Sequence, residues 1–161
     1  MGVGYPEDLV VSVALGADMF DCVWPTRTAR FGNAVTRHGV LHLKHERYAA
    51  DFGPVEAGCE CPCCRPQPGS ADDGLGQGQP TITRAFIHHN ASKETVAAHL
   101  LTQHNVWYQL HLMRTMRDAI LADTFPAFIR QFFADRYPEG VATYPEWAVD
   151  ALAGVGVDLR T

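Results

Sequence analysis

The sequence predicts an α/β fold, and three observations support this prediction. Residues 5–15 place a proline and two acids in a first turn and end before Gly16, the pattern of a short helix. Residues 17–23 form a short, mainly apolar run typical of a buried strand. From Thr83 onward apolar residues recur at helical spacing. The 161 residues, 47% of them hydrophobic, suit one globular domain with a core.

Charge and hydropathy exclude several classes of protein. The chain has 18 acidic and 13 basic residues, a formal charge of −5, which argues against a surface devoted entirely to nucleic acid. No apolar run approaches the ~18 residues that a membrane span requires. The first residues lack the basic region of a secretory signal, so we expect a reducing compartment, the cytoplasm.

One segment departs from the acidic average. Residues 26–48 contain one acid, Glu46, against five basic residues, with three histidines between them. A strand is expected over residues 40–45, after a turn at Gly39. The segment is either a solvated β-hairpin or a patch that contacts phosphates. The basic residues are Arg27, Arg30, Arg37, Lys44 and Arg47.

The remaining chain divides into an insertion and a helical region. Residues 65–82 are rich in Gly, Pro, Gln and Asp, which predicts a disordered insertion. Residues 83–161 predict helices: one beginning at Thr83, a long one capped by Ser92, and shorter ones from Phe125 and over residues 145–152. The apolar stripe of the long helix is core or subunit interface. It comprises Leu100, His104, Trp107, Leu110, Met113, Arg117 and Ile120, broadened by Leu101, Tyr108, Leu112 and Met116.

The cysteines predict a metal site. Four of the five lie within six residues, too close for good disulfide geometry with one another. The pattern Cys59-x-Cys61-x-x-Cys64 supplies three thiolates, and zinc commonly takes such a set with one histidine. Cys63 is an alternative ligand. The fourth ligand is one of His104, His111, His88, His89 and His99; a site with four protein ligands has no place for a reactive water and is structural.

A carboxylate near the end of the predicted strand is the candidate catalytic group. Asp21 precedes the turn at residues 23–25, and carboxylates at strand ends can act as nucleophiles toward a sugar carbon. The alternative is that Asp21 caps a loop or pairs with Arg27 or Arg30. Cys22 is interpreted as packing, because no histidine is near it in sequence.

Four motifs together resemble the tRNA-guanine transglycosylase family. They are Met1-Gly2-Val3-Gly4, the string from Asp18 to Arg27 (DMFDCVWPTR), the Cys59-Cys61-Cys64 loop, and Thr102-x-His104-Asn105. The string is long and specific, and it is more similar to the queuine branch than to the archaeosine branch. The ending, PEWAVDALAGVG, is similar to the C-terminal part of the eukaryotic catalytic subunits of that branch.

The resemblance implies a fold and roles for particular residues. The fold would be the C-terminal part of a (β/α)8 TIM barrel, with its last strands in residues 1–30, a basic hairpin and cysteine loop in residues 31–64, and a helical zinc-binding subdomain. Asp21 matches the nucleophile, and Met1 and Gly2 match residues of the base pocket. Arg27, with its neighbours Thr26 and Arg30, matches the tRNA contact. The zinc ligands would be Cys59, Cys61, Cys64 and His104, leaving Cys63 out.

The implied activity is exchange of the guanine at the wobble position of tRNAs with a G34 anticodon for queuine, through a covalent ribosyl-aspartate. A homologous accessory subunit would complete a heterodimer, in the cytoplasm or at the mitochondrial outer surface. A TIM barrel needs about 250 residues, so we expect no activity from this chain alone. The alternative is a non-catalytic zinc module that binds tRNA or serves as an accessory.

Overall fold

The computed structural model describes residues 1–65 and 82–160. Six α-helices and one hairpin follow in order: α1 (Pro6–Ala14), α2 (Trp24–Arg30), β1 (Asn33–Thr36), β2 (Gly39–His42), α3 (Arg84–Asn90), α4 (Thr95–Leu121), α5 (Phe125–Arg136) and α6 (Glu146–Ala153). Short 3-10 turns occupy Glu46–Tyr48 and Val141–Thr143. The predicted insertion, apart from its two end residues, lies outside the described residues.

The chain forms two compact units. The first comprises Met1–Trp24, Arg37–Gly39 and Gln109–Thr161; the second comprises Pro25–Thr36 and Val40–Tyr108. In the first unit α1 packs on α6, and α1 is also tied to α5, where the Arg136 guanidinium donates to the Glu7 carboxylate. The core of this unit is built from buried aliphatic and aromatic side chains of all four helices, including Val10, Met116, Ile129, Phe133 and Leu152.

The N-terminal part of the first unit differs from the sequence prediction. Helix α1 confirms the expected helix, with Pro6 at its start. Residues 17–23 are not the predicted strand, and residues 1–4 form no strand either. One backbone hydrogen bond, from Gly2 N–H to Asp21 C=O, joins the two segments in the described residues, whereas a strand requires a ladder of such bonds. The two-stranded sheet of β1 and β2 is therefore the only sheet in residues 1–65 and 82–160.

The second unit contains the hairpin, the cysteine loop and α3. Strands β1 and β2 confirm the predicted hairpin, although β2 ends at His42, where a turn closed by the His45 N–H and the His42 C=O begins. Helix α3 begins as predicted, because the Thr83 hydroxyl accepts from the Phe86 N–H as an N-cap. The core combines the four loop cysteines with apolar residues that include Leu43, Val55, Ile87 and Leu101.

Helix α4 is longer than average and differs in two details from expectation. It begins at Thr95, so Ser92 is not its cap; the N–H groups of Lys93 and Glu94 still bond to Asn90 C=O, which extends the end of α3. Its buried stripe includes Leu101, Tyr108, Leu112 and Met116, whereas Leu110 is 65% exposed and Ile120 49% exposed. The expected stripe packs in part, since His104 is buried and Leu100 and Trp107 lie against the core, and the residues expected to broaden it are the more deeply buried ones.

The last two helices confirm their predictions, with α5 beginning at Phe125 and α6 at Glu146. None of the helices in the described residues carries an apolar stretch of the length that crossing a bilayer requires.

Candidate functional site

The cysteine loop folds its sulfurs toward one point. Turns close it at both ends, where Cys59 N–H donates to Glu56 C=O and Cys64 N–H donates to Cys61 C=O. Gly58, inside the first of these turns, has a φ of +74°, a conformation that side chains rarely allow. Cys59, Cys61 and Cys64 are all buried. The local backbone thus collects three thiols in one apolar setting.

His104 on α4 completes this set. Its Nδ1 lies 3.9 Å from the Cys59 sulfur, 3.3 Å from that of Cys61 and 3.6 Å from that of Cys64. The four ligand atoms all lie within 4.8 Å of one another. With metal–sulfur bonds of about 2.3 Å and metal–nitrogen bonds of about 2.0 Å, the sulfur–nitrogen edge of a tetrahedron is about 3.5 Å. The sulfur–nitrogen distances observed lie around this value, so the four side chains could hold one tetrahedral metal ion.

The other ring nitrogen of His104 is held by the hairpin. Its Nε2 lies 2.8 Å from the Val35 C=O, and a carbonyl can only accept, so Nε2 carries the proton. This leaves the Nδ1 lone pair facing the three sulfurs, the tautomer that a metal ligand needs. His104 has no exposed surface. The Val35 carbonyl of β1 thus fixes the orientation of the imidazole ring. A hydrogen-bond acceptor behind a metal-bound histidine has the same effect.

The cluster's electrostatics favour a cation at its centre. Hydrogen bonds from Cys59, Cys63 and Cys64 lower the pKa of the Cys61 thiol strongly. Burial lowers the pKa of the His104 imidazole, but the sulfurs of Cys59 and Cys61 outweigh burial and raise it to about 10. Without a metal, the imidazolium balances one thiolate. Three thiolates could coexist here only with a multivalent cation, so the donor set fits a divalent soft-to-borderline metal such as zinc.

Cys63 and the remaining histidines lie outside the ligand set. The Cys63 thiol is buried and donates to the Leu100 C=O at 2.9 Å, on the backbone of α4. His88 contacts the Leu43 C=O with its Nδ1, and neither it nor the other histidine candidates, His89, His99 and His111, joins the one candidate metal cluster found in residues 1–65 and 82–160. Of the five candidate histidines, His104 is therefore the one that the structure brings to the cysteines.

Asn105, the next residue on α4, belongs to the Thr102-x-His104-Asn105 motif, but the sequence indicated no role for its side chain. It is fully buried, and its Oδ1 accepts from Val35 N–H at 2.8 Å. Its Nδ2 donates to Asn33 C=O and to Pro25 C=O, each at 3.0 Å. The available signal was a polar residue on an otherwise apolar helix face. Such a group is buried only when its hydrogen bonds are satisfied, so its position indicates partners elsewhere in the chain.

Asp21 lies beside the N-terminal segment that carries Met1 and Gly2. The Gly2 N–H donates to the Asp21 C=O at 2.6 Å, while the Asp21 side chain is exposed. Among the described residues the Asp21 carboxylate has no hydrogen bond and no ion pair. The Asp21 carboxylate therefore does not cap a loop among the described residues.

Close packing holds these two segments together. A Cβ on Gly4 would lie 2.4 Å from the Cys22 sulfur, so only glycine permits this approach. Gln109 of α4 donates from Nε2 to the Gly4 C=O, and its Oε1 lies 4.0 Å from the Cys22 sulfur. Cys22 accordingly packs against Gly4.

The basic residues of the Pro-Thr-Arg segment lie on a helix that the sequence reading did not predict. In α2, Pro25 sits in the first turn and Arg27 and Arg30 in the last, the arrangement that a helix favours. Both arginines are exposed, and their spacing of three residues places them on neighbouring positions of one face. Thr26, before them, is half-buried. The helix presents two cations to solvent.

A family model and several known proteins are similar in sequence to this chain. A family model described as "TGT: Queuine tRNA-ribosyltransferase" matches residues 1–138. A queuine tRNA-ribosyltransferase catalytic subunit of Schizosaccharomyces pombe is 55% identical over 159 residues, which is 99% of this chain and 37% of the relative.

Two further relatives extend the similarity. A catalytic subunit of the same name from Caenorhabditis briggsae is 43% identical over 172 residues, covering 99% of this chain and 39% of the relative. A queuine tRNA-ribosyltransferase of Herminiimonas arsenicoxydans is 46% identical over 137 residues, 84% of this chain and 32% of the relative. The chain thus spans a little over a third of the length of its eukaryotic relatives.

Proposed function

The chain belongs to the queuine tRNA-ribosyltransferase family, and on that premise we propose that it forms the nucleophile-bearing and zinc-binding part of an enzyme that exchanges a base in tRNA. The substrate is tRNA with guanine at the wobble position, and the incoming base is queuine. The free carboxylate of Asp21 beside Gly2 is the observation that carries this proposal.

The proposed exchange occurs in two half-reactions at the ribose C1′. A carboxylate oxygen of Asp21 attacks C1′ and forms a C–O bond while the bond from C1′ to the guanine nitrogen breaks. Guanine leaves after taking up a proton. Queuine then loses a proton from the corresponding nitrogen and attacks C1′, and the C–O bond breaks to regenerate the Asp21 carboxylate. Protons balance over the two steps, and no oxidant or energy source is needed.

The neighbours of Asp21 have supporting roles in this proposal. Met1 and Gly2 line the base pocket, since the Gly2 N–H is already bonded to the Asp21 backbone. Arg27 and Arg30, with Thr26, contact the anticodon loop. A pair of exposed guanidinium groups on one helix face suits RNA phosphates, to which arginine makes bidentate hydrogen bonds.

The proposed metal is zinc, held by Cys59, Cys61, Cys64 and His104. Four protein ligands within 4.8 Å of one another leave no open coordination position, which supports a structural ion rather than one that activates water. Its contribution is to cross-link the cysteine loop, the hairpin and α4.

We further propose that the active protein has more barrel than this chain contains, a partner subunit and a cytoplasmic location. The described residues hold one two-stranded sheet, and the chain spans 37% of its fission yeast relative. That relative is named a catalytic subunit, and a subunit by definition has a partner. A TIM barrel completed by further residues would provide the groups that recognise the base and carry its protons.

A chimera tests this function. The 161-residue chain replaces the matching residues of the fission yeast relative, and incorporation of labelled guanine into tRNA is measured. We expect exchange by the chimera, no exchange by the 161-residue chain alone, and a loss on the order of 10³-fold or more in the Asp21→Asn chimera. Asp18→Asn, three residues away and also exposed, is the matched control. Full activity of the Asp21→Asn chimera would contradict catalysis and leave the RNA-binding zinc module as the better account.

A further inference from the structure

Asn105 satisfies every hydrogen-bonding group of its carboxamide inside the second unit. Its Oδ1 accepts from the Val35 N–H, and its two Nδ2 hydrogens go to the carbonyls of Asn33 and Pro25. The residue has no exposed surface, and the bonds to Val35 and Pro25 are buried while the bond to Asn33 is partly buried. A side chain with three directed bonds in such a place fixes the relative positions of the three backbone segments that it joins.

The carboxamide acts as a substitute for a strand. Residues two apart on a strand turn their backbone groups toward the same edge, so the Asn33 C=O and the Val35 N–H lie on one edge of β1. In a parallel pair, one residue of the neighbouring strand would bond to both, its N–H to the Asn33 C=O and its C=O to the Val35 N–H, and the Asn105 carboxamide takes the place of that residue. His104 takes the next group on that edge, the Val35 C=O, at 2.8 Å.

Two successive residues of α4 therefore hold both backbone groups of Val35. One of them, His104, faces the cysteine sulfurs, and the other, Asn105, also reaches α2 through the Pro25 C=O. The contacts form a continuous path from the metal centre through Val35 to the first turn of α2. Arg27 and Arg30 stand on the following turns of that helix.

We propose that Asn105 is a positioning residue that couples the metal centre to α2 and thereby holds Arg27 and Arg30 in their RNA-binding arrangement. The part concerning RNA rests on the proposed function, whereas the coupling itself rests only on the contacts. Metal in the cluster would hold the His104 side chain in place. His104 and Asn105 together then hold the backbone of Val35, and Asn105 also holds the Pro25 carbonyl through its Nδ2 donor. Removing the Asn105 donors leaves the metal in place but frees α2.

Hydrogen exchange measured by mass spectrometry tests the coupling. In the unaltered chain, chelation of the metal is expected to raise amide exchange in residues 26–30 at least about 10-fold, since the path then loses its anchor. This arm needs no variant, so it can overturn the proposal even if a substitution at position 105 fails to fold, and the rise must exceed that of the unit's other helical amides to support it. Unchanged exchange in residues 26–30 after the metal has been removed would overturn the proposal.

Asn105→Asp provides the second arm, because it keeps the shape and the acceptor for Val35 N–H but lacks both N–H donors. We expect this variant to retain one metal per chain and the cobalt(II) thiolate spectrum, yet to exchange residues 26–30 about 10-fold faster even with metal bound. Gln103→Glu, an amide-to-acid change at an exposed site on the same helix, is the control. Normal protection of residues 26–30 in metal-loaded Asn105→Asp would refute the coupling.

Binding of an anticodon stem–loop RNA separates this proposal from the proposed function. A roughly 10-fold weaker affinity is expected for Asn105→Asp, comparable to Arg27→Ala, while Gln103→Glu binds normally. If the unaltered chain binds no RNA, the role given to Arg27 and Arg30 fails, and the exchange measurements still decide whether Asn105 couples the metal to α2.

Discussion

The Nε2 of His104 lies 2.8 Å from the carbonyl oxygen of Val35, so the histidine that faces three cysteine sulfurs is also tied to a β-strand. The cysteines themselves belong to the core of the second unit, together with Leu43, Val55 and Leu101. A metal in this cluster would hold loop, hairpin and α4 at one point. We therefore expect metal binding and folding of this unit to be strongly linked.

Substitution of a ligand should remove the metal and destabilise the protein. Cys64→Ser leaves three ligands for a four-coordinate site, so we expect the zinc content to fall from about one per chain to near zero. The free energy of unfolding should fall by at least about 3 kcal/mol, since structural zinc contributes folding energy directly. Metal analysis and chemical denaturation provide the two measurements.

Cys63→Ser is the matched control for that experiment. Cys63 is buried in the same loop, but its thiol donates to the Leu100 C=O, and a serine hydroxyl can do the same. We expect it to retain about one zinc per chain. If Cys63→Ser lost the metal and Cys64→Ser retained it, Cys63 rather than Cys64 would be the ligand.

Metal binding should release protons and strengthen as the pH rises. In the metal-free cluster the pKa of His104 is about 10 and that of Cys64 about 12, and the Cys59 thiol is raised as well, so all three are protonated at neutral pH. Cys61 is already a thiolate, because its pKa is lowered. Since the metal displaces the protons of the other three, roughly three are released per ion at pH 7.

Calorimetry in buffers of different ionisation enthalpy measures this release directly. The same linkage predicts that the apparent affinity falls steeply as the pH is lowered from 8 to 6. A binding enthalpy that is independent of the buffer, or an affinity that does not change over this range, would show that the ligands are not protonated in the metal-free state.

The Glu7–Arg136 pair should stabilise the first unit. The Arg136 guanidinium donates to the Glu7 carboxylate, with 5% and 15% of these side chains exposed, and the Tyr137 hydroxyl donates to the same oxygen at 3.4 Å. Glu7→Ala removes a largely buried partner of Arg136 and should cost about 3 kcal/mol in the free energy of unfolding. Asp118→Ala breaks an exposed pair with Arg117 and should cost about 0.5 kcal/mol or less. Equal effects in urea denaturation would show that burial does not strengthen the first pair.

Gly4 should tolerate no side chain. An alanine Cβ would lie 2.4 Å from the Cys22 sulfur, so Gly4→Ala must push apart the segments that carry Gly2 and Asp21, at a cost of about 2 kcal/mol. Adding Cys22→Ala removes the sulfur and should recover part of the loss, although the Cβ atoms of Cys22 and Trp24 remain near, at 3.0 and 3.1 Å. Thermal unfolding measures both, and additive losses would refute the clash.

Patterns with a local cause were predictable from the sequence. Pro6 and the acids after it indicated α1, the residues around Gly39 indicated the hairpin, and the Cys59-x-Cys61-x-x-Cys64 spacing indicated a metal loop. Each depends on neighbours within a few residues. The choice of His104 among several histidines depended on family resemblance, because its partners are 40 to 45 residues away.

What the sequence missed depends on distant contacts. Residues 17–23 have the composition of a strand, but strand pairing is decided by neighbours elsewhere in the chain, and composition cannot supply them. Asn105 lies in a helix that looks simply amphipathic, and its role emerges only when β1 and α2 are brought against it. Ser92 had the chemistry of a cap, but the end of α3 overrode that local preference.

The most direct test of the whole account is to map the covalent RNA adduct of the chimera by mass spectrometry. Incubation with tRNA in the absence of any free base should leave RNA joined through ribose C1′ to the peptide that contains Asp21, and fragmentation should locate the bond on that side chain. Asp21→Asn should give no adduct, while Asp18→Asn should give one of the same mass on Asp21. An adduct located on another residue, or one that persists in Asp21→Asn, would contradict the assignment of Asp21 as the nucleophile.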